Sequence, residues 1–594
     1  MKTLLITPPL TGLNTPYPAT TVLKGHLESV GLPTVQWDMS IATAKVVFSS
    51  AFLARMFSSV ELNEHFTSSQ IETYLARDRY IHSVDSVWRF LSGADATLAQ
   101  RIAYQDFLPR GARFDLYQDQ DIDAAFGAAA TADRAKHFAT LYLEDLTDFI
   151  RETIDEDFDM VRYGEQIALS LPTIDPLLNR LTKSTIISDL MIELLDEQMA
   201  RHKPDFVGLS VPFPGCLLAA LRVGQHLKNH YPATTVALGG GYVNTELRTM
   251  SDSRLFRYVD YVLYDDGQIP LQRIIQGGPL VRTALLDKES HKVVFVNMEA
   301  REPFVSDSDF SDIDPTQYIS TLEMANPMHR LWNDGFWNKI TAAHGCYWAK
   351  CAFCDTKLDY IGRYDPLAAS AIVDTMQSVM AQTSSSGFHF TDEALPPKLM
   401  SRIADEIIAR SLTVSYWGNI RFEKSFTAEL CRKLARSGCI AVSGGLEVAS
   451  PEILLTINKG VTIEGARTAM ENLTSNAIMV HTYLMYGFPG QTLEQTIDSL
   501  DIVRSMFSQG LIQSAFWHRF TLTLHSPIGG CPSRYGAQIT GSTANSFANN
   551  GVDFQDGHTY DLDMVGQALS RATYNYMHGL GLEKAAKKWF KIAK

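Results

Sequence analysis

The 594-residue chain has only seven cysteines, and none precedes Cys216. Their odd number, with three crowded between positions 346 and 354, argues against a disulfide framework and for metal ligation. Long apolar runs are also missing. Even VVFSSAFLARMFSSV is broken by serines and Arg55, well short of the roughly eighteen residues of a membrane span. Positive charge is scarce: 52 Lys and Arg face 66 Asp and Glu, for a formal net charge of -14. Neutralising phosphates takes clustered cations, so a broad nucleic-acid footprint is not expected. The one basic cluster, Lys584, Lys587, Lys588, Lys591 and Lys594, has the spacing of the solvated face of a last helix. The start, MKTLLITPPL, is cut short by Pro8 and Pro9 before it could serve as a signal peptide, and reads as a buried strand. A cytoplasmic protein with no membrane or nucleic-acid partner is expected.

The chain that remains is 45% hydrophobic and 20% charged, an ordinary globular composition, and too long for a single core. Lys2 to Asp38 reads strand, turn, helix, strand. The same alternation resumes at PDFVGLSVPFPG, passes through TTVALGGGYVN and ends with VDYVLYDDGQIPL. Apolar strands alternating with helices predict an α/β fold, with a doubly wound, Rossmann-like parallel sheet covered on both faces. Residues 41–200 lack strand patterns and read as a helical insertion within this first unit, which spans 1–280. Residues 281–334, with a short strand pair and the acidic stretch SDSDFSDIDPTQY, read as a linker.

A second βα series follows over 335–534: KITAAHG, GFHFTDE, TVSYWGNI, CIAVSGGLEV, MVHTYLMYGFPG and SAFWHRFTLTLHSPIGG. Six parallel strands predict a partial (β/α)6, TIM-like barrel, in which chemistry collects at the carboxyl ends of the strands. The remainder, 535–594, reads as a small, mainly helical region.

Cys346, Cys351 and Cys354 follow the first strand of this series, in HGCYWAKCAFCDTKL. Three thiolates on one loop can hold three corners of a [4Fe-4S] cluster and leave one iron open. A zinc site with His344 as the fourth ligand is the alternative that spacing leaves open. The loop, with Phe353 before its last cysteine, and the strands after it resemble the radical S-adenosylmethionine (SAM) enzymes. That resemblance implies that the open iron chelates SAM, which is cleaved on reduction to a 5'-deoxyadenosyl radical. An external electron donor such as flavodoxin or ferredoxin is implied with it. This chain has four residues between the first two cysteines, where the family most often has three. The resemblance also implies SAM contacts at Phe353, at Asp392 and Glu393 in FTDEALPP, at Glu447 in SGGLEV, and at Gly487 and Gly490 in YGFPGQT.

A doubly wound sheet ahead of such a barrel resembles the cobalamin-dependent branch of that superfamily. The corrin would then lie between the halves at the carboxyl ends of the strands, where open α/β sheets bind ligands. Ser210, Gly239, Gly240, Gly241 and Gly267 are the candidate contacts, since glycine lets backbone lie against a flat macrocycle. No Asp-x-His-x-x-Gly motif occurs, so no lower axial histidine is indicated. The implied activity is methylation of an unactivated carbon by way of methylcobalamin, on a natural product or peptide. A non-methylating ring contraction, cyclisation or rearrangement with the same cofactors is an alternative, as is a zinc-stabilised corrinoid or nucleotide carrier without radical chemistry. His481, His518, Arg519 and His525, near the last strands, are candidate substrate contacts.

Overall fold

Thr3–Thr7 (β1) is buried at every position, as a strand covered on both faces requires. In the computed structural model, which describes residues 1–116, 130–168, 171–540 and 547–590, it sits between two parallel neighbours. These are Thr34–Asp38 (β2) and Phe206–Ser210 (β3). Thr235–Gly239 (β4) and Tyr261–Leu263 (β5) continue the sheet in parallel, giving the order β2-β1-β3-β4-β5. The chain order reverses at β1, so the loops after β1 and β3 diverge and open a crevice at their carboxyl ends.

The strand pair assigned to the linker instead extends this sheet. Thr283–Leu286 (β6) pairs antiparallel with β5, and Val293–Val296 (β7) with β6. The physical reason is the open edge of β5, which needs backbone partners; Ala284 is fully buried there. The connection that follows is fastened to the first unit. Buried Lys24 is 2.6 Å from Asp312, and the Asp309 N–H donates to Thr21 O at 3.0 Å.

Between β2 and β3 the described residues form helices, apart from one isolated bridge from Phe158 to Tyr163. The longest described one is Thr131–Thr153. No single described helix is long and apolar enough to cross a membrane. Met39–Val47 and Ser50–Ser58 pass that test only together, bent by 65°, and Phe52, Leu53 and Met56 of the pair are core residues.

Asn338–Ile340 (β8) starts the second sheet. A short antiparallel pair, Ala343–His344 (β9) with Asp365–Pro366 (β10), brackets the cysteine loop. The remaining strands are Gly387–Phe390 (β11), Ser415–Ile420 (β12), Cys439–Glu447 (β13), Met479–Tyr486 (β14) and Ser514–Arg519 (β15). All six long strands are parallel and lie in chain order from β8 to β15, with helices alternating between them. Successive side chains alternate between faces. Ile340, Phe388, Phe390 and Val442 share a core with helix residues such as Ile372 and Ile403. The other face is polar and aromatic: register sets Lys339 beside His389, His389 beside Trp417, Asn419 beside Ser443, and Ser443 beside His481.

The C-terminal region is less helical than its sequence suggests. Leu522–Thr523 (β16) pairs with Gly551–Val552 (β18), and Gln538–Ile539 (β17) with Phe554–Gln555 (β19), all too short to leave a period in the sequence. The helix Leu562–Met577 packs on β15, where Trp517 Nε1 donates to Thr573 at 2.9 Å. Asn550 ties the halves together, its N–H donating to Glu246 at 2.9 Å and its side chain to Asp355 at 2.8 Å. Among the described residues the basic cluster forms no last helix: Ala586–Lys588 is a single 3-10 turn and Lys584 stacks on Trp589, while Lys591 and Lys594 lie outside the described residues.

Candidate active site between the two sheets

Gly345 opens the cysteine loop at φ 72°, and a Cβ there would come within 1.8 Å of Arg363 O, so only glycine fits. The Cys346 N–H donates to Ile361 O at 3.1 Å, and Cys354 N–H to Cys351 O at 3.3 Å. The thiols of Cys351 and Cys354 share a hydrogen bond that favours the Cys351 thiolate and pushes Cys354 up. Cationic Lys459 and Arg421 also favour the Cys351 thiolate. Lys459 Nζ pairs with Glu447 at 2.6 Å and lies 5.7 Å from the Phe353 ring centroid. The loop is braced by the segment after β13. Ala352 N–H donates to Ile457 O at 2.8 Å, and Trp348 Nε1 to Asn458 O at 2.9 Å.

His344 does not face these thiols as a fourth ligand. Its Nδ1 is 2.6 Å from Asp266 and its Nε2 is 2.9 Å from Asp359, so both ring nitrogens are occupied by carboxylates. Arg363 joins the same two carboxylates. Burial opposes the imidazolium, but the hydrogen bonds to Asp266 and Asp359 outweigh it and raise the His344 pKa to about 9. The zinc set proposed from spacing is thereby overturned: His344 is an ion-pair partner.

Asp266 follows β5, so this cluster fastens the cysteine loop to the first sheet. Beside it lies a cavity of about 720 Å³, bounded by the ends of both sheets. Ser210, Gly239, Gly240, Gly241 and Gly267 all line it. Ser210 Oγ is buried without a partner. Gly240 has φ 113°, and a Cβ there would lie 2.5 Å from Val211 O. The glycine run thus packs its backbone against the loop after β3, and the orphaned Ser210 hydroxyl beside it is left for a ligand in the cavity.

Asp392 and Glu393 line the same cavity but differ in role. Asp392 is 2% exposed and accepts from the Ala342 N–H at 3.0 Å and the Ala343 N–H at 2.7 Å. Its carboxylate positions the segment leading into the cysteines. Glu393 is open to the cavity, with no hydrogen-bond or ion-pair partner among the described residues, and the surrounding chain pushes its pKa up to about 7. Two liners escaped sequence reasoning. Lys339 has no acceptor among the described residues, and burial lowers its pKa to about 8. His389 stacks on Trp417 with centroids 3.6 Å apart, and burial brings its pKa down to about 3. Only their odd positions in NKI and GFHF, sharing one strand face, could have pointed to them.

Other expected positions lie apart. Gly487 and Gly490 have left-handed φ of 74° and 80°, but the open side of Gly487 faces Leu562, and Gly490 lines a different cavity. His481 is 4% exposed and bonded to Ser514 at 3.0 Å, a packed residue whose pKa burial lowers to about 3. Arg519 pairs with Asp563 on the surface. His518 is exposed beside Phe516, while the His525 Nε2 is buried and unpartnered near Asp355 and Arg248. These four do not converge on one site.

Residues 340–503 match the sequence profile of the radical SAM superfamily. The chain carries a radical SAM domain. The chain is 22% identical over 330 residues to an uncharacterized methyltransferase of Pyrococcus horikoshii, covering 54% of this chain and 68% of that one. It is 26% identical over 154 residues to the bacteriochlorophyllide d C-12(1)-methyltransferase of Chlorobaculum tepidum, covering 25% and 33%. Most of the latter's length is therefore unmatched. Among solved structures, the radical SAM methyltransferase TsrM of Kitasatospora setae, with cobalamin and a [4Fe-4S] cluster bound, superposes with a TM-score of 0.51. That match has 13% identity and covers 100% of this chain and 99% of that one, so the two share a fold.

Proposed function

We propose that the protein is a cobalamin-dependent radical SAM methyltransferase that methylates an unactivated carbon of a small molecule or peptide. The observation that carries this reading is the cavity shared by the glycine cradle of the first sheet and the cysteine-bearing end of the second. The methyltransferase names of two matching relatives and the fold shared with TsrM support it. On this reading residues 1–280, extended by β6 and β7, form a Rossmann-like cobalamin domain with its helical insertion at about 41–200. Residues 335–534 form a partial (β/α)6 barrel, and the described part of 535–594 ties the two together through Asn550.

Cys346, Cys351 and Cys354 would hold a [4Fe-4S] cluster, Glu393 the ammonium of SAM, and Ser210 with Gly239, Gly240, Gly241 and Gly267 the cobalamin. Once bound, these groups supply a 5'-deoxyadenosyl radical from reductive SAM cleavage and a methyl group for transfer. The chain supplies geometry. The Asp266–His344–Asp359–Arg363 cluster fixes the distance between the halves, Asp392 sets the approach to the cysteine loop, and the apolar walls exclude water. Lys339 offers a positive charge for an anionic group of the substrate. A cytoplasmic location and a flavodoxin or ferredoxin donor belong to the same reading.

The test needs no substrate. Anaerobic protein loaded with reduced cobalamin is incubated with SAM carrying a deuterated methyl group. Deuterated methylcobalamin with S-adenosylhomocysteine is the expected result. Formation of 5'-deoxyadenosine with no methyl on cobalt would overturn methyl transfer in favour of a radical rearrangement.

A further inference from the structure

A second large cavity, of about 900 Å³, lies between the turn after β14 and the C-terminal segment. Its polar lining is not internally satisfied. Gln491 is 1% exposed; its Oε1 accepts from the Phe488 N–H at 3.2 Å, but its Nε2 has no partner. His558 has a side chain only 6% exposed, with Nδ1 held 2.6 Å from Asp556 and Nε2 buried without a partner. Two buried, unpaired nitrogens lining one cavity leave hydrogen-bonding capacity that a ligand would use.

The charge around it is one-sided. Arg571, Lys584 and Lys588 line the cavity, and among the described residues none has a carboxylate partner. Lys584 Nζ sits 3.7 Å from the Trp589 ring centroid, a cation–π contact that holds it at the wall. The one acidic liner, Asp561, is committed to capping the helix Leu562–Met577, accepting from the Asp563 and Met564 N–H groups at 2.8 and 3.1 Å. Trp589 and Phe590 add flat apolar wall.

We infer that this cavity binds a flat organic anion, with its rings against Trp589 and Phe590, its charge at Arg571, Lys584 and Lys588, and a polar edge at Gln491 and His558. The inference rests on this cavity alone and is independent of the chemistry at the cysteine loop.

The probe is 8-anilinonaphthalene-1-sulfonate, titrated into the full-length protein. Its uncharged analogue, N-phenyl-1-naphthylamine, is titrated in parallel. One saturable site for the sulfonate is expected, weakened about tenfold by combined Arg571→Ala and Lys588→Ala, which alter exposed side chains. Gln491→Glu, which keeps the acceptor to Phe488 and replaces the free donor with a negative charge, should weaken it similarly. Sulfonate binding unchanged in the Arg571→Ala, Lys588→Ala variant would overturn the proposal, as would equal binding of the uncharged analogue. The surface pair decides the matter even if Gln491→Glu fails to fold.

Discussion

His344 Nδ1 stands 2.6 Å from an Asp266 carboxylate oxygen, so the residue two places before the first loop cysteine is bound to the segment that ends β5 of the other sheet. Without the Asp266 charge, His344 and Arg363 would share the single carboxylate of Asp359, at a cost of about 1–3 kcal/mol. Asp266→Asn should therefore lower unfolding free energy by about that amount, measured by chemical denaturation. A loss within experimental error would mean that the pair is not fastening the halves.

Lys339 is a half-buried cation with no acceptor among the described residues, and its folded pKa of about 8 lies below the ordinary 10.5. Between those values the unfolded chain binds the extra proton, so stability rises with pH across that window. The charged form accordingly costs up to about 3 kcal/mol below pH 8. In the cofactor-free protein Lys339→Met should be more stable than the parent at pH 7, with the gap closing towards pH 10. It should also lose turnover once a substrate is in hand. A destabilised variant would show that Lys339 has a structural role instead.

Neighbouring carboxylates give opposite expectations. Asp392→Leu removes the acceptors of two buried N–H groups and should destabilise the fold by about 1–3 kcal/mol. Glu393→Gln breaks no internal bond and removes a carboxylate whose charge the fold disfavours, so melting should not fall while SAM binding, read by equilibrium dialysis, weakens about tenfold. The reverse pattern would exchange their roles.

At Gly240, φ 113° and the nearby Val211 oxygen leave no room for a side chain. Gly240→Ala should reduce cobalamin retention after gel filtration, whereas Gly510→Ala, with open space around its Cβ, serves as a control for left-handed backbone strain alone. Equal retention in both variants would remove Gly240 from the cradle.

The parallel strands of both sheets were legible because buried strands and amphipathic helices leave periods of 2.0 and 3.6 in the sequence. The β6–β7 pair was visible as strands, but its partner was not, since nothing in TALL or VVFV says which edge is open. The short pairs β16–β18 and β17–β19 fall below any periodic signal. The cysteine loop and the glycine runs stood out by residue type. The roles of Asp266, His344 and Lys339 did not, because each depends on contacts between the halves, and 78 positions separate Asp266 from His344. Spacing alone left His344 as a possible metal ligand; two carboxylates at its ring nitrogens make it a cation instead.

The central claim is that one chain holds both a three-cysteine cluster and a corrinoid. It is tested most directly by iron, sulfide and cobalt analysis of anaerobically purified protein supplied with cobalamin, beside a variant with Cys346, Cys351 and Cys354 all changed to Ala. The account predicts about four irons with matching sulfide and one cobalt per chain, with iron lost and cobalt kept in the variant. Iron without cobalt would contradict the corrinoid half of the claim, and zinc without sulfide would contradict all of it.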